Sequence, residues 1–364
     1  MNGSLQLGRI AGIRVQIHWT FWFLILFVVF MVLARGGNFQ EILWSTAFIL
    51  ALFTCIVLHE FGHALTARLY DIDTRSITLL PIGGVANLVE LPEKPRVEFI
   101  VAIAGPAVNV VIAALIWLTV PLEGFLGQDP ETLQEELGVI SGQNFMFYLF
   151  TANVIIVVFN LLPAFPLDGG RMARALLSIK LGRVKATRAA AALGKFLAAV
   201  LFFIGLFYNF ILALIAVFIY FGAESENMMV LQLSLLEGYK VKDAMITKFT
   251  VLKPDDTLED MIENILKTTE RDFVVAAENG VQGVVYMSDL SGSIRNLGRK
   301  ASVKEIMHSN FTPLKAEDPL ADAYREIRRG QKNFFPVLEN HDLTGVVDTN
   351  NIEEFLKFRA SIDE

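Results

Sequence analysis

The chain has one cysteine, Cys55, so no disulfide can close within it and nothing demands an oxidising compartment. Charge is also scarce. Asp, Glu, Lys and Arg make up 19% of the residues, against about 25% in an ordinary soluble domain. The acidic residues win, and the net charge of −7 argues against a nucleic-acid partner. No small-residue cleavage site follows the first apolar run, Ile17 to Ala34, so that run reads as a retained span and not as a signal peptide. What the chain has in abundance is apolar residues, at 54%. They are concentrated in residues 15–222; from Glu224 onward the sequence is charged and ordinary. The division is therefore a membrane domain over 1–225, a linker over 226–239 and a soluble domain over 240–364.

Runs near the ~20 residues needed to cross a bilayer fall at about 17–34, 43–67, 97–120 and 145–163. The stretch 187–222 is interrupted at Tyr208 and Asn209 and reads as two short spans, giving six in all. The loop after the second carries Arg68, Arg75, Lys94 and Arg96, and the loop after the fourth carries Arg171, Arg174, Lys180, Arg183, Lys185 and Arg188. The loop after the third carries Glu123, Asp129, Glu131, Glu135 and Glu136 and no Lys or Arg. The positive-inside rule then sets both termini and the soluble domain in the cytoplasm, with the chain multi-pass in the cell (plasma) membrane.

The second span ends in LHEFGHALTARLY. His59 and His63 are four apart, so on a helix they share a face and can chelate one metal ion. Glu60 beside them is placed to act as general base on a metal-activated water. Ionisable groups at membrane depth are expensive unless paired or ligating. Polar residues at a helix end would be the bland alternative, but the helix pattern continues past His63 to Arg68. Five residues at 1.5 Å put the metal about 7.5 Å inside that arginine.

Two histidines leave a tetrahedral ion short of a third protein ligand. The fourth span approaches from the other direction and ends in FNLLPAFPLDGGR, residues 159–171. Pro163 and Pro166 break the helix, and Gly169 and Gly170 permit unusual backbone. Asp168 therefore stands at a matching depth on broken backbone, either as the third ligand or as the cap of the helix that follows.

HEFGH at the end of one span, with NLLPAFPLDGG two spans later, resembles the site-2 protease family of intramembrane metalloproteases. PIGGVANL (81–88) is similar to that family's hydrophobic loop, and AGPAVN (104–109) to its third-span motif. The resemblance covers residues 10–222. It implies an all-α membrane core holding one zinc on His59, His63 and Asp168, with Glu60 activating water. It also implies substrates that are single transmembrane segments of other proteins, cut inside the bilayer. Asn160 would hold the substrate backbone or the oxyanion; interhelical hydrogen bonding is its other reading. Asn109 reads as packing and Cys55 as a small buried hydrophobe. The PIGGVANL loop could pair with an unwound substrate as an added strand.

The soluble part repeats itself. VKDAM at 241–245 recurs as VKEIM at 303–307, Thr250 maps to Thr312, Leu258 to Leu320 and Gly283 to Gly345, always 62 residues on. Each copy reads as a helix, a β-hairpin and a short helix. The units, about 240–295 and 302–358, resemble a pair of cystathionine-β-synthase (CBS) domains, an α/β module that takes ATP or AMP in its clefts. Asp289 stands where that family binds ribose, with Tyr286 at its hydroxyl position. In the second copy Asp348 and Asn351 replace the hydroxyl residue and the aspartate, and Asp348 would repel phosphate. Without nucleotide the pair reads as a homodimerisation and docking module. A CBS-regulated transporter or an inactive scaffold would have the same architecture, but neither needs HEFGH and LDGG at one depth.

Overall fold

The computed structural model describes residues 4–81, 83–88, 94–121, 139–329, 333–340 and 342–362. The acidic residues Glu123 to Glu136 lie outside them. The chain forms two units, Met1–Met228 and Met229–Glu364.

Unit one opens with β1 (Ser4–Ile10) and β2 (Ile13–His18), followed by helices α1 (Phe21–Ala34) and α2 (Phe39–Arg68). Next come β3 (Thr74–Leu80), β4 (Gly83–Leu88), α3 (Pro95–Thr119) and α4 (Phe145–Leu161). It closes with α5 (Asp168–Leu181), α6 (Arg183–Tyr208) and α7 (Phe210–Leu236), whose last turns belong to unit two. Four of these, α2, α3, α6 and α7, are long and apolar enough to cross a membrane. The apolar helices α1 and α4 have 14 and 17 residues. At 1.5 Å per residue they rise about 21 and 25 Å, less than a hydrocarbon core of about 30 Å. The surface is strongly apolar: Phe39, Leu118, Phe207 and Tyr208 are all more than three-quarters exposed, which only a lipid or protein partner would tolerate.

The apolar runs of this unit lead one to expect helices alone. The structure has a sheet in the order β1-β2-β3-β4. β2 and β3 pair in parallel and the outer pairs are antiparallel. Ile13, Val15 and Ile77 are fully or almost fully buried against Phe61 and Ala64 of α2. The first apolar helix therefore starts at Phe21 and not at Ile17, which is drawn into β2 by pairing with Leu79. PIGGVANL, expected as a loop, supplies edge strand β4, with Ile82 outside the described residues. The basic connection after α4 carries the helix expected to follow Asp168, as α5, and continues after Gly182 into α6.

α2 starts on a capping box: Asn38 Oδ1 accepts from Glu41 N at 3.0 Å, and Glu41 Oε1 accepts from Asn38 N at 3.4 Å. The residues assigned to a linker are helical as far as Leu236, because Leu233 and Leu236 are buried in the core of unit two.

Unit two is two copies of one motif. The first is β5 (Val251–Leu252), α8 (Leu258–Lys267), β6 (Phe273–Ala277), β7 (Gly280–Val285) and α9 (Met287–Leu297). The second is β8 (Leu314–Lys315), α10 (Leu320–Arg329), β9 (Phe334–Glu339), β10 (Asp342–Asp348) and α11 (Thr349–Ile362). Each forms a three-stranded sheet. Val274 and Val284 of one sheet pack on Phe334 and Val346 of the other. Ile246 bridges to Val346 and His308 to Val284, so each copy lends its leading segment to the other's strand.

Candidate metal centre

His59 and His63 are adjacent turns of α2 and both are buried. Asp168 is the first residue of α5 and is also buried. The break before it is tight: a methyl on Gly170 would lie 2.5 Å from Phe165 N, and one on Gly169 would overlap the Leu161–Leu162 backbone. Only glycine lets the chain turn there and return Asp168 toward α2. Asp168 Oδ2 is 3.2 Å from both His59 Nε2 and His63 Nε2, which are 3.1 Å apart. These three form a group of candidate metal ligands.

The outer ring nitrogens fix which lone pairs face inward. His63 Nδ1 is 2.7 Å from Val101 O, which can only accept, so Nδ1 carries a proton, and in the neutral ring Nε2 keeps its lone pair for a metal. His59 is set by a longer chain. Asn153 Nδ2 donates to Leu149 O at 2.8 Å, so Asn153 Oδ1 accepts from Asn109 Nδ2, also at 2.8 Å. That turns Asn109 Oδ1 to His59 Nδ1, at 2.6 Å. Asn109 and Asn153 are both fully buried. Asn109 is therefore not mere packing; it orients a candidate ligand. Asn153 was missed, although an Asn within an apolar helix is itself a signal. Cys55 Sγ lies 3.5 Å from Asn153 Nδ2 and outside the ligand group.

Close helix approach makes this geometry possible. A methyl on Gly62 would meet Ala104 O at 2.7 Å. A methyl on Gly105 would sit 2.6 Å from His59 Nε2 and against the His63 ring. α3 therefore passes α2 with bare backbone at the site. Glu60 is half-buried on the neighbouring face, where a methyl on Gly84 of β4 would lie 2.8 Å from its Cγ. Asn160 is half-buried in the last turn of α4. Among the described residues no hydrogen bond joins it to the histidines or Asp168.

A second ionic group braces the site. Arg174 of α5 is buried, donating from Nε to Glu98 Oε1 of α3 at 2.7 Å and from Nη1 to Glu226 Oε1 of α7 at 2.5 Å. Its guanidinium lies 4.9 Å from the centre of the Phe165 ring, in the turn before Asp168. Glu98 is one turn before Val101, so this pairing joins the helix that orients His63 to the helix that carries Asp168.

In unit two, Asp289 Oδ2 is 2.7 Å from His308 Nε2, and the His308 ring packs edge-on to Tyr286. The Tyr286 hydroxyl is pushed up to about 12 by burial and by the Asp272 and Asp289 carboxylates. The other cleft, about 740 Å³, is lined by Glu270, Asp272, Asp348, Glu353 and Glu354 against Arg271 and Lys357. Burial, then Asp348 and Asp289, raise the Asp272 carboxyl.

The model of peptidase family M50 matches residues 47–204, and the CBS-domain model matches 241–296 and 303–357. A zinc metalloprotease of Methanocaldococcus jannaschii is 32% identical over 356 residues, covering 97% of this chain and 96% of its own. The chain belongs to peptidase family M50. Rip3 of Mycobacterium tuberculosis is 28% identical over 379 residues, covering 98% of this chain and 93% of its own. The solved site-2 protease of M. jannaschii matches with a TM-score of 0.45 at 35% identity, covering 62% of this chain and 95% of that one. The site-2 protease resemblance and the CBS pair read from sequence both hold. This M50 chain is a membrane metalloprotease by kinship, and its candidate ligands lie on the two motifs that carried the resemblance.

Proposed function

We propose that this chain is an intramembrane zinc endopeptidase that cuts transmembrane segments of single-span proteins. In this reading it crosses the plasma membrane six times, with the bilayer thinned locally around the short helices α1 and α4, and with both termini and the CBS pair cytoplasmic. The observation that carries it is the convergence of His59 Nε2, His63 Nε2 and Asp168 Oδ2 within 3.1–3.2 Å. Tetrahedral zinc with bonds near 2.05 Å needs donors about 3.3 Å apart, so this donor set fits the ion. Three protein ligands also leave the fourth position open, the pattern of a catalytic site.

Zinc bound there supplies a Lewis acid that acidifies water and polarises a carbonyl. The protein does the rest. Glu60 accepts the proton of the attacking water and returns it to the leaving amide nitrogen. Asn109 and Val101 hold both imidazoles with Nε2 unprotonated. β4 is an edge strand beside Glu60, suited to pair with an unwound substrate segment and present its carbonyl to the site. Asn160 is assigned to the substrate backbone or the oxyanion. The CBS pair modulates activity, with an adenine nucleotide at Asp289 as one input and homodimerisation as another. Access to Asp289 would require His308 to yield, since the two are paired.

The test is cleavage of a reconstituted single-span substrate. E60Q should retain metal and lose about 10²–10⁴ in rate, and D168A should lose both. Full activity in E60Q would remove Glu60 as the base. Calorimetry with ATP and AMP on wild type and D289A tests the nucleotide assignment.

A further inference from the structure

Away from the metal centre, Arg9, Arg14, Arg68 and Arg75 line one concavity of about 440 Å³, with Asp73 as the carboxylate among its lining side chains. We propose that this concavity binds the phosphate of an anionic phospholipid headgroup. The inference rests on the membrane reading above, but not on proteolysis.

Three observations lead there. First, Arg9 and Arg14 stand directly opposite each other across the β1–β2 ladder. Like charges in that relation are destabilising, and an anion between them reverses the sign. Arg68 is drawn to the same place, donating from Nη2 to Ala11 O in the turn between the strands at 2.8 Å. Second, Thr74 lines the concavity and is only 8% exposed, yet its Oγ1 has no hydrogen-bond partner among the described residues. A buried hydroxyl without a partner is costly; Oγ1 is itself sealed from solvent, and a phosphate oxygen would accept from it once the side chain turns into the concavity. Arginine forks and a hydroxyl are a donor set matched to phosphate oxygens.

Third, the surroundings favour a lipid over a free anion. Ile10 is 57% exposed and Leu69 80% exposed, and each is the next residue to a lining arginine. Leu5 and Leu7 on β1 are exposed to 57% and 58%. Acyl chains would cover them. Arg68 ends α2, so the concavity lies at the end of a membrane-crossing helix, where headgroups are. The positive-inside reading makes this the cytoplasmic leaflet, the one rich in anionic lipid. Occupancy would anchor the sheet whose last strand borders Glu60.

The experiment uses the full chain in neutral detergent, titrated calorimetrically with short-chain phosphatidylglycerol, phosphatidylcholine and inorganic phosphate. Saturable binding is expected for phosphatidylglycerol, with the other two at least about tenfold weaker. R14Q/R75Q should weaken phosphatidylglycerol binding at least about tenfold and T74V several-fold. K94Q/R96Q, which removes the same charge outside the concavity, should leave it within about twofold. Unchanged binding in R14Q/R75Q overturns the proposal, as does an equal loss in K94Q/R96Q. Inorganic phosphate binding as tightly as the lipid would make this a free-anion site, which also overturns it. Zinc content measured on the same samples reports the metal centre separately. Normal zinc with no lipid binding defeats this inference alone.

Discussion

Replacing Asn109 with Leu tests the tautomer relay that sets His59. The side chain keeps its approximate size but loses the oxygen that accepts from His59 Nδ1 at 2.6 Å. His59 is only 6% exposed, so water cannot readily take over. An orphaned buried donor costs about 1–3 kcal/mol. The ring is then free to rotate or to move its proton to Nε2, which removes a ligand. Loss of such an orienting partner typically lowers metal affinity about 10–100-fold. The assay is zinc competition against a chromophoric chelator on purified N109L, with cleavage rate measured at saturating zinc. N153L should have a smaller effect in the same direction, because Asn109 keeps its contact with His59 but loses the group that fixes its orientation. The double variant should lose less than the sum, since the two act through one chain. Zinc affinity within about twofold of wild type in N109L would refute the relay.

Gly105→Ala should reduce zinc binding while leaving secondary structure intact, because its methyl would lie 2.6 Å from His59 Nε2 and against His63; circular dichroism and metal content on one sample decide it. Arg174→Met leaves Glu98 and Glu226 as unpaired carboxylates, and breaking a buried pair in this way costs about 3–5 kcal/mol. A thermal-unfolding midpoint close to wild type would mean that those carboxylates are not held by Arg174. In unit two, Glu317 lies 2.5 Å from both Lys240 and Lys242, and these ammonium groups hold its carboxyl down to about 2 from an ordinary 4.5. A lowered carboxyl stabilises the fold above its unfolded value, so this contact is intact at neutral pH, weakens below about 4.5 and is lost as pH falls toward 2. Protection factors for amide exchange at residues 240–243, corrected for the intrinsic pH dependence of exchange, should fall over that window in wild type and not in E317Q, and the difference should shrink in high salt because all three side chains are about half exposed.

The helices and the candidate ligand group were legible because each leaves a mark in the chain. Long apolar runs announce membrane-scale helices, and the i, i+4 histidines announce a chelating face. The LDGG break was readable too, since Pro163 and Pro166 interrupt the helix just ahead of it, and the two glycines fall in the first turn of the helix that follows. The sheet of unit one was not. Its strands, such as IRVQIH, are short and flanked by apolar residues, so Ile17 reads as naturally into the span as into β2. The partner of β2 is β3, about 60 residues away by the ladder Val15–Ile77, and no local pattern carries that pairing. Asn109 and Asn153 each look like isolated polar residues in apolar helices. Their role exists only because α3 and α4 bring them to 2.8 Å, and Gly105, the residue that lets α3 approach α2 there, has no side chain to draw notice.

The most direct test of the central claim is X-ray absorption at the zinc edge on the purified full-length chain, with metal content measured on the same sample. The account predicts one zinc per chain, two imidazole nitrogens and oxygen at about 2.0–2.1 Å, and no sulfur near 2.3 Å, with the signal lost in D168A. A chain that binds no stoichiometric zinc, or whose spectrum needs sulfur from Cys55, contradicts it.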